Sequence, residues 1–309
     1  MTRYSKSLLQ LTAVAAAAAF TSSAFAAAAL DANLELDTTY SNLGRGMGQS
    51  GRVEANISGK AGGNDGFVAG KGTLILGKGG AASTDDMWGQ IGTSMVDVKW
   101  GRFEAADLFP AGKDVLVEGG ADVTGGYRAN LLRGRFGGAA HFALNVNAGA
   151  GVGFELGIVE SKTADRRGIR PVVSFAAGPV AVKLGFESGK DNTSTPAGAK
   201  FSGFGATVGG TVGGGVGFNV NLASGKSTPV GGTAEKSTSF GVNATFGPAG
   251  VGYIMDKNKT LGLKDSVFYA AYSIPVFATG ATLTPAVSHQ TGTGKAGATS
   301  LRVRLNYGF

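Results

Sequence analysis

The amino-acid sequence predicts an all-β protein, a transmembrane antiparallel β-barrel of about sixteen strands. Three observations predict it. Apolar and polar residues alternate with period two in segment after segment, these segments run to ~9 to 12 residues, and no stretch after residue 26 reaches the ~18 apolar residues of a membrane helix, so any crossing has to be made by strands.

The chain begins with Arg3 and Lys6, an apolar Ala-rich stretch from Leu8 to Phe20, and Ala24-Phe25-Ala26. This is the pattern of a secretory signal peptide, expected to be removed at or near residue 26, with Ala27, Ala28 and Ala29 as alternative cleavage points. Removal takes Arg3 and Lys6 with it and leaves 26 basic against 21 acidic side chains, a net charge of about +5. The charges are spread thinly along the chain, so no nucleic-acid partner is expected. Cysteine is absent, which excludes disulfides and thiolate chemistry. Glycine supplies 54 residues and proline 8, with no collagen repeat, which leaves Gly-rich strands and tight turns. Residues 27–309 form one domain, since no linker or lasting shift in composition divides them.

The clearest segment is the last, where Leu301, Val303, Leu305, Tyr307 and Phe309 alternate with Arg302, Arg304 and Asn306. Similar alternation marks Leu34 and Leu36 against Asn33, Glu35 and Asp37, Val180 to Phe186 against Lys183 and Glu187, and Val216 to Leu222 against Asn219 and Asn221. A soluble sandwich with wet outer faces would alternate in the same way. Segment length and number favour the barrel, because globular strands are usually ~5 to 6 residues long.

Strands are predicted at 30–41, 51–60, 66–78, 86–93, 95–103, 139–148, 151–160, 168–176, 179–188, 200–210, 212–225, 237–246, 250–257, 266–276, 280–290 and 298–309. An even number returns both termini to one side. Thr93-Ser94, Gly178-Pro179 and Gly247-Pro248-Ala249 read as tight turns; 42–50, 189–199, 226–236, 257–265 and 291–297 read as loops at the other end. Treating Tyr127 to Phe136 as a strand would give an odd number, so Glu104 to Gly138 is read as one long loop, of a length that is usually functional.

With its leader, the strand ending Lys99-Trp100-Gly101-Arg102 before a long third loop, the turn Ala177-Gly178-Pro179-Val180 and the terminal Tyr307-Gly308-Phe309, the chain resembles the sixteen-stranded trimeric porins of Gram-negative outer membranes. Trp100 to Asp114 and Gly126-Tyr-Arg-Ala-Asn130 also resemble the carbohydrate porin group. The resemblance implies a passive diffusion channel for small hydrophilic solutes, sugars among them, in the outer membrane. It implies outer-membrane lipid and two further copies of the chain as partners, and recognition of Phe309 by the barrel assembly machinery. It also implies that loop 104–138 folds into the lumen and narrows it, with acidic loop residues facing a basic wall.

Alternation places Arg52, Lys71, Lys99, Arg170, Lys183, Arg302 and Arg304 on the inner face, together with Glu54, Asp97, Glu155 and Glu187. Arg52, Lys71, Lys99, Arg302 and Arg304 are the candidates for the basic wall of the constriction. Glu104, Asp107, Asp114, Glu118, Asp122, Arg128 and Arg133 are the candidates on the loop. Each also has an ordinary role, that of a wet-face residue supporting a strand pair. Arg102 falls on the side of Val98 and Trp100, away from the lumen, unless a bulge or the strand end releases it. The positive balance suggests a mild preference for anions.

Phe103, Phe109 and Tyr127 are candidates for stacking on sugar rings, and their alternative is packing the loop against the wall. Trp88 and Trp100 at one end, with Tyr307 and Phe309 at the other, fit two interfacial aromatic girdles. No enzyme, cofactor or metal site is expected, because His141 and His289 are the only histidines and neither has Ser and Asp at a triad spacing. The Gly292, Gly294, Gly297 match to a dinucleotide-binding motif precedes a strand and is read as chance. A general, weakly anion-selective pore is the nearest alternative. An enzyme or adhesin on a barrel scaffold is the alternative of another class, with loops after the third of only ~11 residues against an adhesin.

Overall fold

The computed structural model describes residues 28–43, 46–63, 65–112, 129–162, 165–194 and 196–309. The expected leader lies outside them. The chain forms β1 (Ala29–Ser41), β2 (Gly46–Gly62), β3 (Phe67–Gly77), β4 (Ala82–Gly92) and β5 (Val96–Arg102) before the long third loop. It resumes with β6 (Ala140–Gly149), β7 (Val152–Glu160), β8 (Arg166–Ala177), β9 (Val180–Asp191), β10 (Ala199–Val212) and β11 (Val216–Thr228). It ends with β12 (Glu235–Phe246), β13 (Ala249–Asn258), β14 (Leu263–Tyr272), β15 (Ile274–Val276), β16 (Ala281–Gly292) and β17 (Lys295–Gly308).

All pairings are antiparallel and join neighbours in sequence, and β17 returns to pair with β1, Leu305 opposite Leu36 and Arg304 opposite Asp37. β14 and the three-residue β15 are one barrel strand. Both pair with β16 in a single register, Ala271 with Ala286 and Ile274 with Leu283, and the ladder lapses where Pro285 stands opposite Tyr272 with no N–H to give. The barrel therefore has sixteen strands.

Alternation is resolved as expected. Leu301 and Val303 are 46% and 41% exposed on the outer face, whereas Arg302 between them is 7% exposed on the inner one. Phe142, Ile158, Phe175, Phe186, Phe204 and Leu222 continue the outer band. So large an exposed apolar surface requires lipid around it. The turns Gly178-Pro179 and Gly247-Pro248 each place the glycine at positive φ, 57° and 56°, where a side chain would be strained.

The predicted loops are shorter than expected. β2 begins at Gly46, β9 runs to Asp191, β11 to Thr228 and β13 to Asn258, and β16 and β17 are separated by only Thr293 and Gly294. Backbone pairing continues past the apolar band into water, where polar side chains no longer alternate with apolar ones and the sequence signal fades. The third loop is not structureless either. Its limbs pair briefly, with the Ala105 N–H donating to Arg133 O at 2.7 Å and the Arg135 N–H to Phe103 O at 2.9 Å.

If the outer face lies in lipid, Val303→Arg near the middle of β17 should lower barrel stability by about 2–4 kcal/mol, read from reversible denaturant unfolding in vesicles. Val303→Ile should leave the midpoint in place. An unchanged midpoint for the arginine variant would remove that face from the membrane.

Candidate pore constriction

The described parts of the third loop, residues 103–112 and 129–139, lie inside the barrel against the wall. Glycine makes room for them. A Cβ on Gly185 of β9 or Gly205 of β10, which stand opposite each other, would come within 2.6 Å of Leu108 or Ala129, and one on Gly241 of β12 within 2.7 Å of Phe109. Leu108, Phe109 and Ala129 thereby pack on Val172, Ala223, Ile254, Val267 and Tyr269, an apolar cluster on the lumen side of the wall.

Polar wall residues take up the loop's backbone groups. The Ala106 N–H donates to Glu155 at 3.1 Å, and the Leu131 and Leu132 N–H groups donate to the two oxygens of Glu187 at 3.0 and 2.9 Å. Arg170 donates from Nε to Ala129 O at 2.9 Å and from Nη2 to Ala106 O at 2.7 Å. Farther round, Asn221 and Asn243 both donate to Pro110 O at 2.8 Å and Tyr269 Oη donates to Ala111 O at 2.7 Å. Arg170 and Glu187 are 1% and 0% exposed, so these inward charges hold the loop and do not face solvent. An irregular backbone at membrane depth needs such partners, because no lipid group can supply them.

Across the lumen, eight strands round the ring from β9, stands β1 with its neighbours β17 and β2. Arg304 grips Asp37 with two parallel bonds of 2.7 Å, Nε to Oδ1 and Nη2 to Oδ2, and reaches Glu35 at 3.0 Å. Arg302 lies 3.9 Å from Asp37, and Arg52 lies 3.9 Å from Glu35 and 3.5 Å from Glu54. The structure brings Arg52, Arg302 and Arg304 together, apart from Lys71 and Lys99, and threads them with as many carboxylates. A purely basic wall is corrected to an alternating network on three adjacent strands. Glu35 and Asp37 were visible on the inner face of β1 in the alternation; their role was missed because their partners lie at the far end of the chain.

A second group lies on β3 to β5. Lys71 pairs with Asp86 at 3.1 Å, and Lys99 Nζ sits 4.0 Å from the centre of the Trp88 ring and 4.7 Å from that of Phe103. Trp88 stands opposite Lys71 and so shares its inner face. This removes Trp88 from the expected girdle, while Trp100, Tyr307 and Phe309 remain on the outer face. Within β4 Trp88 alternates with Met87 and Gly89 and so falls with Asp86 and Gln90, while a bulge after Gly72 sets Asp85 and Asp86 together against Thr73 and turns both inward. Arg102 stays outside, opposite Met87, where its Nε caps the Asp85 carbonyl at 2.5 Å.

The expected acidic loop against a basic wall is not what the described residues form. Glu104 and Asp107 pair with Arg133 of the same loop at 2.8 and 3.5 Å, and loop Arg135 reaches Asp85 and Asp86 of the wall at 3.2 and 3.3 Å. Neighbouring loop charges satisfy one another at less cost in ordering than a reach across the lumen. Asp114, Glu118, Asp122, Tyr127 and Arg128 lie outside the described residues. Phe103 and Phe109 do not offer faces to a sugar: they are 1% and 4% exposed, Phe103 stacked on His141 at 4.0 Å and Phe109 seated over Gly241. Packing the loop is their role.

No family model and no curated protein matches the chain. Solved barrels do. A loop-deletion mutant of OmpT, an outer membrane protein of Vibrio cholerae, matches with TM-score 0.76 and 15% identity over 93% of this chain and 100% of that one. An anion-selective porin from Comamonas acidovorans matches with TM-score 0.69 and 14% identity over 91% and 99%. A mutant of the Rh. blastica porin matches with TM-score 0.59 and 13% identity over 91% and 100%.

At these identities the likeness shows the fold alone. The exclusion of enzymatic activity drawn from the sequence is therefore withdrawn: the fold is shared with OmpT as well as with porins, a fold does not fix a function, and enzyme status is not established.

Replacing Glu187 by Gln removes a charged acceptor from two loop amides. Hydrogen exchange at Leu131 and Leu132 should quicken by ~10- to 100-fold, the equivalent of ~1.5–3 kcal/mol for a charged hydrogen bond. Equal exchange in the two proteins would show that the loop is held elsewhere.

Proposed function

We propose that the chain forms a passive outer-membrane diffusion channel, a porin-type pore for small hydrophilic solutes that admits sugars as members of that class. The observation that carries this is the division of the lumen. One wall is covered by a loop tied down through Glu155, Arg170 and Glu187, and the opposite wall bears the Arg52, Arg302, Arg304 network with Glu35, Asp37 and Glu54. Fixed charges of both signs orient water and exchange polar solutes without holding them, and they disfavour apolar ones. Homotrimers in outer-membrane lipid, export by residues 1–26 and assembly through Phe309 complete the proposal.

A preference for sugars is a second reading, favoured by Trp88. It stands opposite Lys71 and by alternation shares the lumen face with Asp86 and Gln90, with Lys99 Nζ 4.0 Å from the centre of its ring, so a sugar would meet the part of the indole that Lys99 and the Phe103 cluster leave uncovered.

Refolded protein added to a planar bilayer should give channels of stable conductance, and well-folded protein without conductance would overturn the pore. Changing Arg302 and Arg304 to Glu makes a balanced cluster strongly negative and should swing the reversal potential toward cations. An unchanged potential would take both residues out of the constriction. Maltooligosaccharides should block current in proportion to concentration if Trp88 binds sugar, with the block lost in Trp88→Ala; free passage without block supports the general pore.

A further inference from the structure

The loop ends of β8 to β14 carry charges sorted by sign across the wall. Asp191, Glu235, Asp256 and Asp265 fall on the inner face, where Asp191 pairs with Arg166, Asp256 accepts from Ser239 and Asp265 pairs with Lys295. The residues next to them fall on the outer face. There Arg167 stands opposite Lys190, Lys190 opposite Lys200, Lys226 opposite Lys236, and Lys257 opposite Lys264. By alternation they share that face with Ile169, Phe186, Phe204, Leu222, Val242 and Phe268 of the exposed apolar band.

Like charges directly opposite on one face destabilise a strand pair, and here the arrangement recurs around an arc of seven strands. None of these cations forms an ion pair among the described residues. Glu160, at the end of β7, is the acid on this face nearest in register to Arg167 and makes no ion pair with it.

Snorkelling of long side chains to an interface does not account for the arc, since both ends of every strand meet an interface. The turn ends of the same strands present Phe175, Val212, Phe246, Tyr272 and Ile274 outward. Nor is it a property of loop ends in general, because β1, β2 and β3 carry Tyr40, Met47 and Leu76 there. At one point the arc has shape as well as charge. A depression of about 350 Å³ opens in the outer wall between Ile158 and Ile169, with Arg167, Lys190 and Glu160 on its lining.

We propose that this arc is a docking surface for an anionic, phosphate-bearing lipid of the leaflet that surrounds the loop ends, its phosphates taken by the paired cations and its chains lying on the apolar band below. A cation row at the edge of a lipid-facing surface matches phosphate by charge and depth, and each Lys or Arg there contributes on the order of 1 kcal/mol toward an anionic leaflet. A bound phosphate layer also relieves the repulsion between opposed lysines.

The test uses the full folded protein in detergent and a fluorescent bisphosphorylated glucosamine-disaccharide lipid, beside the same lipid stripped of phosphate. The phosphorylated lipid should bind, and the triple variant Arg167→Gln, Lys190→Gln, Lys200→Gln should bind it roughly a hundred-fold more weakly, whereas Lys183→Gln, on the inner face of β9, should bind as the parent does. Equal binding of the two lipids would overturn the proposal, as would an unaffected triple variant. Displacement of the lipid by millimolar inorganic phosphate, with no dependence on its acyl chains, would identify a site for free anions and overturn it too. If the triple variant fails to fold, the comparison of the two lipids on the parent protein decides.

Discussion

Every backbone N–H and C=O in hydrocarbon must find its partner within the chain, and the pairing of β1 with β17 is what makes this possible. An open sheet of this size would leave two edges unsatisfied in lipid, at a cost of several kcal/mol for each group. Closure removes the edges and divides the side chains between two surroundings, so period-two alternation becomes a choice between lipid and lumen at every residue. Even the interruption at Pro285 obeys the constraint. Ser273, beside the lapse, turns its hydroxyl to Thr284 at 3.0 Å, and the strand resumes in the same register.

A loop inside such a barrel carries the same debt of polar groups without a ladder to settle them. Two features of the wall answer it together. Gly185, Gly205 and Gly241 give the space into which Leu108 and Phe109 fit, and Glu155, Arg170, Glu187, Asn221, Asn243 and Tyr269 give the bonds. Neither suffices alone: apolar packing would leave the Leu131 and Leu132 amides unpaired, and polar wall groups without the glycine hollow would stand too far from the loop's backbone. The abundance of glycine is in part the imprint of the loop on the wall.

The strands were legible because alternation is a local property. It set Arg52, Arg302 and Arg304 on the same face as Glu35 and Asp37, with which they make contact. What was not legible depends on residues far apart in sequence or on a single slip of register. Glu187 binds amides 55 and 56 positions away, and nothing near it in the chain announces this. The bulge at Asp85 and Asp86 slips the register of β4 by one residue, which brings Asp85 onto the inner face beside Asp86. Phe103 and Phe109 looked available because exposure is not written in a loop's sequence; their burial comes from His141 and Gly241, on strands that the loop must first fold against.

The same division of faces changes what net charge means. The mild anion preference expected from the positive balance summed charges over both faces of the wall, yet the two faces do not share a solvent. On the described wall of the constriction, three arginines interlock with three carboxylates, so the field there is set by the order of the charges and not by their sum. The cations of β8 to β14 that stand opposite one another lie outside, at the lipid edge. A positive total therefore does not set the field inside the barrel, since these cations lie on its outer face.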